Sequence, residues 1–140
     1  MSVGVTVVLA LIGLFALFAV VPRVMMTVKV KKMEGKAAPT AHKPSAKRIK
    51  SGSRTILYFY TPSCGVCRSQ DPIVKKVQQR YPDAVFKIDA STHREAAKAY
   101  GVMGVPFLAF IEGGKLVAAR AGLQRESAIL GFLSGGTQST

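Results

Sequence analysis

From Val3 to Val21 the chain is almost wholly apolar, and residues 1–22 hold no Lys, Arg, Asp or Glu. An all-round apolar run of that length suits a helix crossing a bilayer, which needs roughly 20 apolar residues. A core helix of a small domain would keep a polar face. Thr27 to Met33 alternates weakly, as a continuation of that helix or a short strand. From Glu34 to Ser53 the composition turns to Ala, Pro, Lys, Ser and Gly, with few large apolar residues, and predicts a mobile tether of about twenty residues. A folded pattern begins near Arg54. Thr55 to Tyr60 is β-branched and aromatic without alternation, as in a central strand buried on both faces. Cys64 to Arg80 follows with helical spacing, with Ile73, Val74 and Val77 as its stripe and Pro72 inside it. Ala84 to Ile88 predicts a second strand, Thr92 to Tyr100 a short Ala-rich helix, and Phe107 to Ile111 and Leu116 to Ala121 two strands joined by a hairpin at Gly113-Gly114. Arg125 to Leu133 closes as an amphipathic helix, and residues 135–140 form a polar tail.

The first two strands flank a helical crossover and are expected parallel; the last two are joined by a tight turn and are expected antiparallel. The fold class is therefore α/β, a mixed four-stranded sheet with helices on both faces, preceded by one transmembrane helix. The organisation reads as an anchor over 1–26, a basic juxtamembrane tether over 27–53, the folded domain over 54–134 and the tail.

Charge sharpens this division. The chain carries a net +13, and its first fifty residues hold nine Lys/Arg against one Glu, all of them after the apolar run. Basic residues against a span, with no aromatics interleaved, point to topology and anionic lipid rather than to nucleic acid. The N-terminal flank has no basic residue, so neither a cleaved signal peptide nor an outward-facing domain is expected. The folded domain is expected on the cytoplasmic side, with a periplasmic or exterior placement as the alternative.

The chemistry lies in the two cysteines, Cys64 and Cys67, in Thr61-Pro62-Ser63-Cys64-Gly65-Val66-Cys67. Between a strand and a helix, such a pair is a redox arrangement. Cys64 falls at the first turn, where free backbone N–H groups favour a thiolate, and Ser63 is the expected N-cap. Cys67 lies one turn further in. Cys64 is thus the expected nucleophile and Cys67 the resolving thiol. A zinc site needs further ligands, for which the chain offers only His42 in the tether and His93 as histidines. No flavin or nucleotide motif appears, so no cofactor and no metal are expected.

Together with Pro72, Asp89, Tyr100-Gly101-Val102-Met103-Gly104-Val105-Pro106, the Gly113-Gly114 hairpin and Gly122, these motifs resemble the thioredoxin superfamily over roughly residues 54–133. The resemblance implies a three-layer α/β/α sandwich and a cis Pro106 facing the dithiol. It also implies that the Val105 backbone pairs with an extended substrate, with Ser63, Gly65 and Val66 lining the same groove. It departs from thioredoxins proper in several places. Ser63 stands where they have Trp, and Gly65-Val66 where they have Gly-Pro. Tyr58 falls where they bury an acid that serves the second cysteine, and Val85 where that acid has a Lys partner. Proton exchange must then use water or another group. The tether leaves little room for the family's first strand and helix, so a trimmed domain is expected.

The reading is a membrane-tethered thiol–disulfide oxidoreductase, a reductase rather than an oxidant. Its expected partners are protein disulfides, membrane-bound ones included, an electron donor such as a thioredoxin reductase or the thiol pool, and membrane lipid. Two alternatives stand beside it: an extracytoplasmic exchange protein of the kind that serves cytochrome maturation, and a non-catalytic binding module with the same fold.

Overall fold

The computed structural model describes residues 2–136. Most of the tail expected over 135–140 lies outside the described residues. The chain divides into two compact units, Met1–Lys32 and Met33–Thr140.

The first unit holds all but the last residue of helix α1 (Val3–Met33), which carries the apolar run and continues through Thr27–Met33. Its described apolar side chains are exposed on every side, Phe15 and Phe18 by 76% and 80%. At 31 residues it is about 46 Å long, more than the roughly 30 Å of a bilayer's hydrocarbon.

The second unit follows as α2 (Lys43–Lys50), β1 (Thr55–Tyr60), α3 (Gly65–Arg80), β2 (Val85–Asp89), α4 (Arg94–Ala99), β3 (Phe107–Glu112), β4 (Lys115–Ala121) and α5 (Glu126–Ser134). The sheet order is β2-β1-β3-β4. β1 and β2 are parallel, with Tyr58 opposite Lys87, and the pairs β1–β3 and β3–β4 are antiparallel. Gly113 and Gly114 turn the hairpin with φ of 60° and 73°. Two successive left-handed residues match the right-handed strand twist, and only glycine adopts them without strain.

β1 and β3 are buried along nearly their whole length because both sheet faces are covered. On one face Ile56, Tyr58, Leu108 and Phe110 pack with Val74 and Val77 of α3 and Ile129 and Phe132 of α5. On the other, Tyr100 at the end of α4 packs its ring on Phe59 at 5.7 Å between centroids. Each large apolar side chain so enclosed contributes about 1.5–3 kcal/mol.

The expected tether is where the structure departs most from the sequence reading. Residues 35–38 run along the start of β4: the Gly35 N–H donates to the Leu116 carbonyl at 2.7 Å, the Leu116 N–H to Lys36 at 3.0 Å and the Ala38 N–H to Gly114 at 2.8 Å. Tyr100 donates to the Pro39 carbonyl at 2.6 Å. Ser45 and Ile49 of α2 are buried, as are Ala38 and His42. Residues 33–53 are therefore part of the folded unit. Pro44 is compatible with this, since it sits in the first turn of α2, where no N–H is needed.

Smaller shifts occur at other ends. α3 begins at Gly65, and its N-cap is Cys64, whose Sγ accepts from the Cys67 N–H at 3.1 Å; Ser63, the expected cap, is exposed outside the helix. α4 begins at Arg94 instead of Thr92 because Asp89 captures the intervening turn. Its Oδ1 accepts from the Ser91 N–H at 2.9 Å and the Ser91 hydroxyl at 2.6 Å, local bonds that compete with helix.

Candidate active site

The parallel strand β1 delivers the chain to the site at Tyr60, and Thr61-Pro62-Ser63 lead it into α3. The Cys64 N–H closes a turn onto the Thr61 carbonyl at 3.2 Å. Cys64, in extended backbone geometry, then caps the helix. Cys64 and Cys67 are joined as a disulfide, with their Cα atoms 5.3 Å apart. Cys67 is buried at 2% exposure, whereas Cys64 is partly open and Gly65 and Val66 are exposed. The two sulfurs thus differ in access, and the outer one lies where the helix dipole and the Cys67 N–H stabilise negative charge.

The loop before β3 faces this turn. The Val105–Pro106 peptide is cis, and the Val105 carbonyl lies 3.6 Å from Cys64 Sγ. Pro106 is buried, and its carbonyl accepts from the Gly122 N–H at 2.8 Å. Gly122 takes φ of 84°, so a residue without a side chain suits the bend that follows β4. A fully buried side chain, Gln70 of α3, ties this loop to the dithiol helix. Its Oε1 accepts from the Gln124 N–H at 2.7 Å, and its Nε2 donates to the Gln124 carbonyl at 3.2 Å. Gln70 was not singled out by the sequence, where it reads as one more polar helix residue.

The structure thus brings together Cys64, Cys67, Val105 and Pro106, with Gly65 and Val66 on the first turn and Ser63 just before it. Three exposed apolar side chains lie on these segments: Val66 (53%), Met103 (60%) and Leu123 (52%). An apolar and open surface beside a backbone carbonyl suits an extended peptide, which binds through its main chain.

Behind the dithiol lies a polar group that the hydrophobic pattern did not disclose. The Tyr58 hydroxyl donates to Asp71 Oδ1 at 2.9 Å and to the Cys67 carbonyl at 3.3 Å. Asp71 Oδ2 accepts from Lys87 Nζ at 2.9 Å. Burial first, and then the bond to Asp71, pushes the Tyr58 phenol well above its ordinary value, so it stays a neutral donor.

His42 and His93 lie apart from this site, edge to face at 5.6 Å between ring centroids. Burial, with His93 adding to it, holds His42 below its ordinary value. Among the described residues, no group of three or more His, Cys, Asp and Glu side chains is placed to hold a metal ion.

The thioredoxin family profile matches residues 28–134. A thioredoxin of Bacillus subtilis is 32% identical over 73 residues, covering 51% of this chain and 70% of that protein. A protein disulfide-isomerase, tigA of Aspergillus niger, is 33% identical over 70 residues; the match covers 46% of this chain and only 20% of that longer protein. In structure, a single-site mutant of a thioredoxin from Halobacterium salinarum superimposes with a TM-score of 0.56 at 33% identity, over 65% of this chain and 80% of that one.

Proposed function

The chain belongs to the thioredoxin family, and from that premise we propose that it is a thiol–disulfide oxidoreductase working as a reductase, tethered to a membrane by α1. The observation that carries the reading is the Cys64–Cys67 pair at the start of α3, its outer sulfur 3.6 Å from the Val105 carbonyl that precedes Pro106.

In the reduced protein, Cys64 is the thiolate, held by the first-turn amides. It attacks one sulfur of a substrate disulfide, forming a mixed disulfide and expelling the other substrate sulfur as a thiolate. Cys67 then loses its proton and attacks Cys64. The Cys64–Cys67 bond forms, the bond to the substrate breaks, and the substrate leaves with both sulfurs reduced. A thiol pool or a reductase returns the dithiol by giving two electrons and two protons. The substrate chain lies extended along Val105 and Pro106, flanked by Ser63, Gly65 and Val66. The buried position of Cys67 supports its assignment as the resolving thiol, since an incoming protein disulfide meets Cys64 first.

The substrates are protein disulfides, those of membrane proteins among them. Tethering raises the effective concentration for partners in the same bilayer. The basic residues that follow the apolar run, Arg23, Lys29, Lys31 and Lys32 still within α1, support placing the folded unit in the cytoplasm.

Reduction of a protein disulfide by the full chain in detergent, with a dithiol as donor, tests the activity. Cys64→Ser is expected to fall to background. Cys67→Ser is expected to stall as a mixed disulfide that a non-reducing gel resolves. Wild-type turnover in both variants would overturn the proposal and leave a binding module.

A further inference from the structure

Resolution of the mixed disulfide needs a proton to leave Cys67, which is buried on the sheet side of α3. The helix places Asp71 four residues on, one turn along the same face. One hydroxyl, that of Tyr58, reaches both places: it bonds Asp71 Oδ1 at 2.9 Å and the Cys67 carbonyl at 3.3 Å. Asp71 differs from its partner in access. Tyr58 is fully buried, whereas the Asp71 side chain is 39% exposed and its second oxygen turns outward to Lys87. One carboxylate oxygen is therefore linked through Tyr58 to the Cys67 backbone, and the other faces the partly exposed Lys87.

We propose that Asp71 is the proton-exchange partner of Cys67, positioned by Tyr58 on its inner oxygen and by Lys87 on its outer one. This rests on the dithiol cycle proposed above. As resolution begins, the Cys67 thiol passes its proton to the Asp71 carboxylate, directly or through one water. The resulting thiolate attacks Cys64, and the electron pair of the Cys64–substrate bond leaves on the substrate sulfur. Asp71 then releases the proton to solvent past Lys87. When the Cys64–Cys67 disulfide is reduced, the same carboxylate returns a proton to Cys67. Tyr58 cannot serve as the base, because its phenol is the donor in both of its bonds. The charged and titratable groups around Asp71 are Tyr58 and Tyr60 on β1, Lys87 on β2, and Arg68 and Lys75 along α3; Lys87 also sits over the Tyr60 ring at 4.2 Å.

The reduced full chain in detergent, mixed with excess dithionitrobenzoate, tests this. Attack by Cys64 releases one thionitrobenzoate, and resolution by Cys67 releases a second, so the two thiols are read as separate phases. Two thionitrobenzoates released per chain, with the Cys64–Cys67 disulfide as product and no thionitrobenzoate left bound, establish the dithiol cycle itself; a chain that keeps bound thionitrobenzoate would refute that reading, whatever Asp71 does. In Asp71→Asn the first phase is expected within about twofold of wild type. The second is expected about tenfold slower near neutral pH and to recover as pH rises toward the free thiol range of about 8.5. Asp71→Glu should restore much of the second phase. A second phase in Asp71→Asn that matches wild type in rate and pH profile would overturn the proposal. So would an equal slowing of both phases.

Discussion

At the scale of single residues, the site is held by polar side chains that the packing has fully enclosed. Gln70 imitates a strand partner by bonding both the N–H and the carbonyl of Gln124. Gln70→Leu keeps the volume but strands two backbone groups, so a loss of about 2–3 kcal/mol in denaturant unfolding is expected. Tyr58→Phe removes one hydroxyl from two acceptors, of which Asp71 is half-exposed and regains water. A smaller loss, about 1–2 kcal/mol, is expected by the same measurement. The cysteine motif was legible in the sequence because its chemistry is written in local spacing, and Pro106 only through the family resemblance. Gln70, Asp71 and Lys87 were not, since each is an ordinary polar residue until the fold brings strand and helix together. The one local signal was negative: Tyr58 at a position where the resemblance calls for an acid left a proton route unassigned.

At the scale of elements, long apolar patterns located β1, α3, β3 and the hairpin to within a residue or two. α2 escaped because eight residues carrying four basic side chains and a proline offer only Ile49 as a large apolar contact. That one contact, the strand-like bonds of residues 35–38 and the Tyr100–Pro39 bond suffice to dock the segment. Ile49→Ala is therefore expected to cost about 2–4 kcal/mol, whereas a mobile tether would show no change. A fragment starting at residue 51 should likewise melt well below one starting at 33. The docking is also expected to depend on pH through His42, which packs against Phe86 and His93 and bonds Ser45 at 3.0 Å. Its folded value lies below its unfolded one, so the unfolded chain binds the extra proton. The contribution is whole above about pH 6.5, and is lost as pH falls from there through the folded value. Denaturation midpoints over that range should fall more steeply for wild type than for His42→Gln.

At the scale of the whole molecule, the chain carries an exposed apolar helix, α1, and a redox unit that begins at Met33. That unit carries a strong excess of basic over acidic side chains. On the proposed cytoplasmic orientation, a reporter phosphatase that folds only outside the cytoplasm, fused after residue 140, should be inactive; an active fusion would reverse the topology. The direction of electron flow is set by the reduction potential of the Cys64–Cys67 pair, measured in the detergent-solubilised full chain equilibrated with defined glutathione or thioredoxin buffers. A reductase is expected at about −270 mV, where thioredoxin reduces its substrates. A value between about −180 and −120 mV, the range of disulfide isomerases and oxidants, would contradict it.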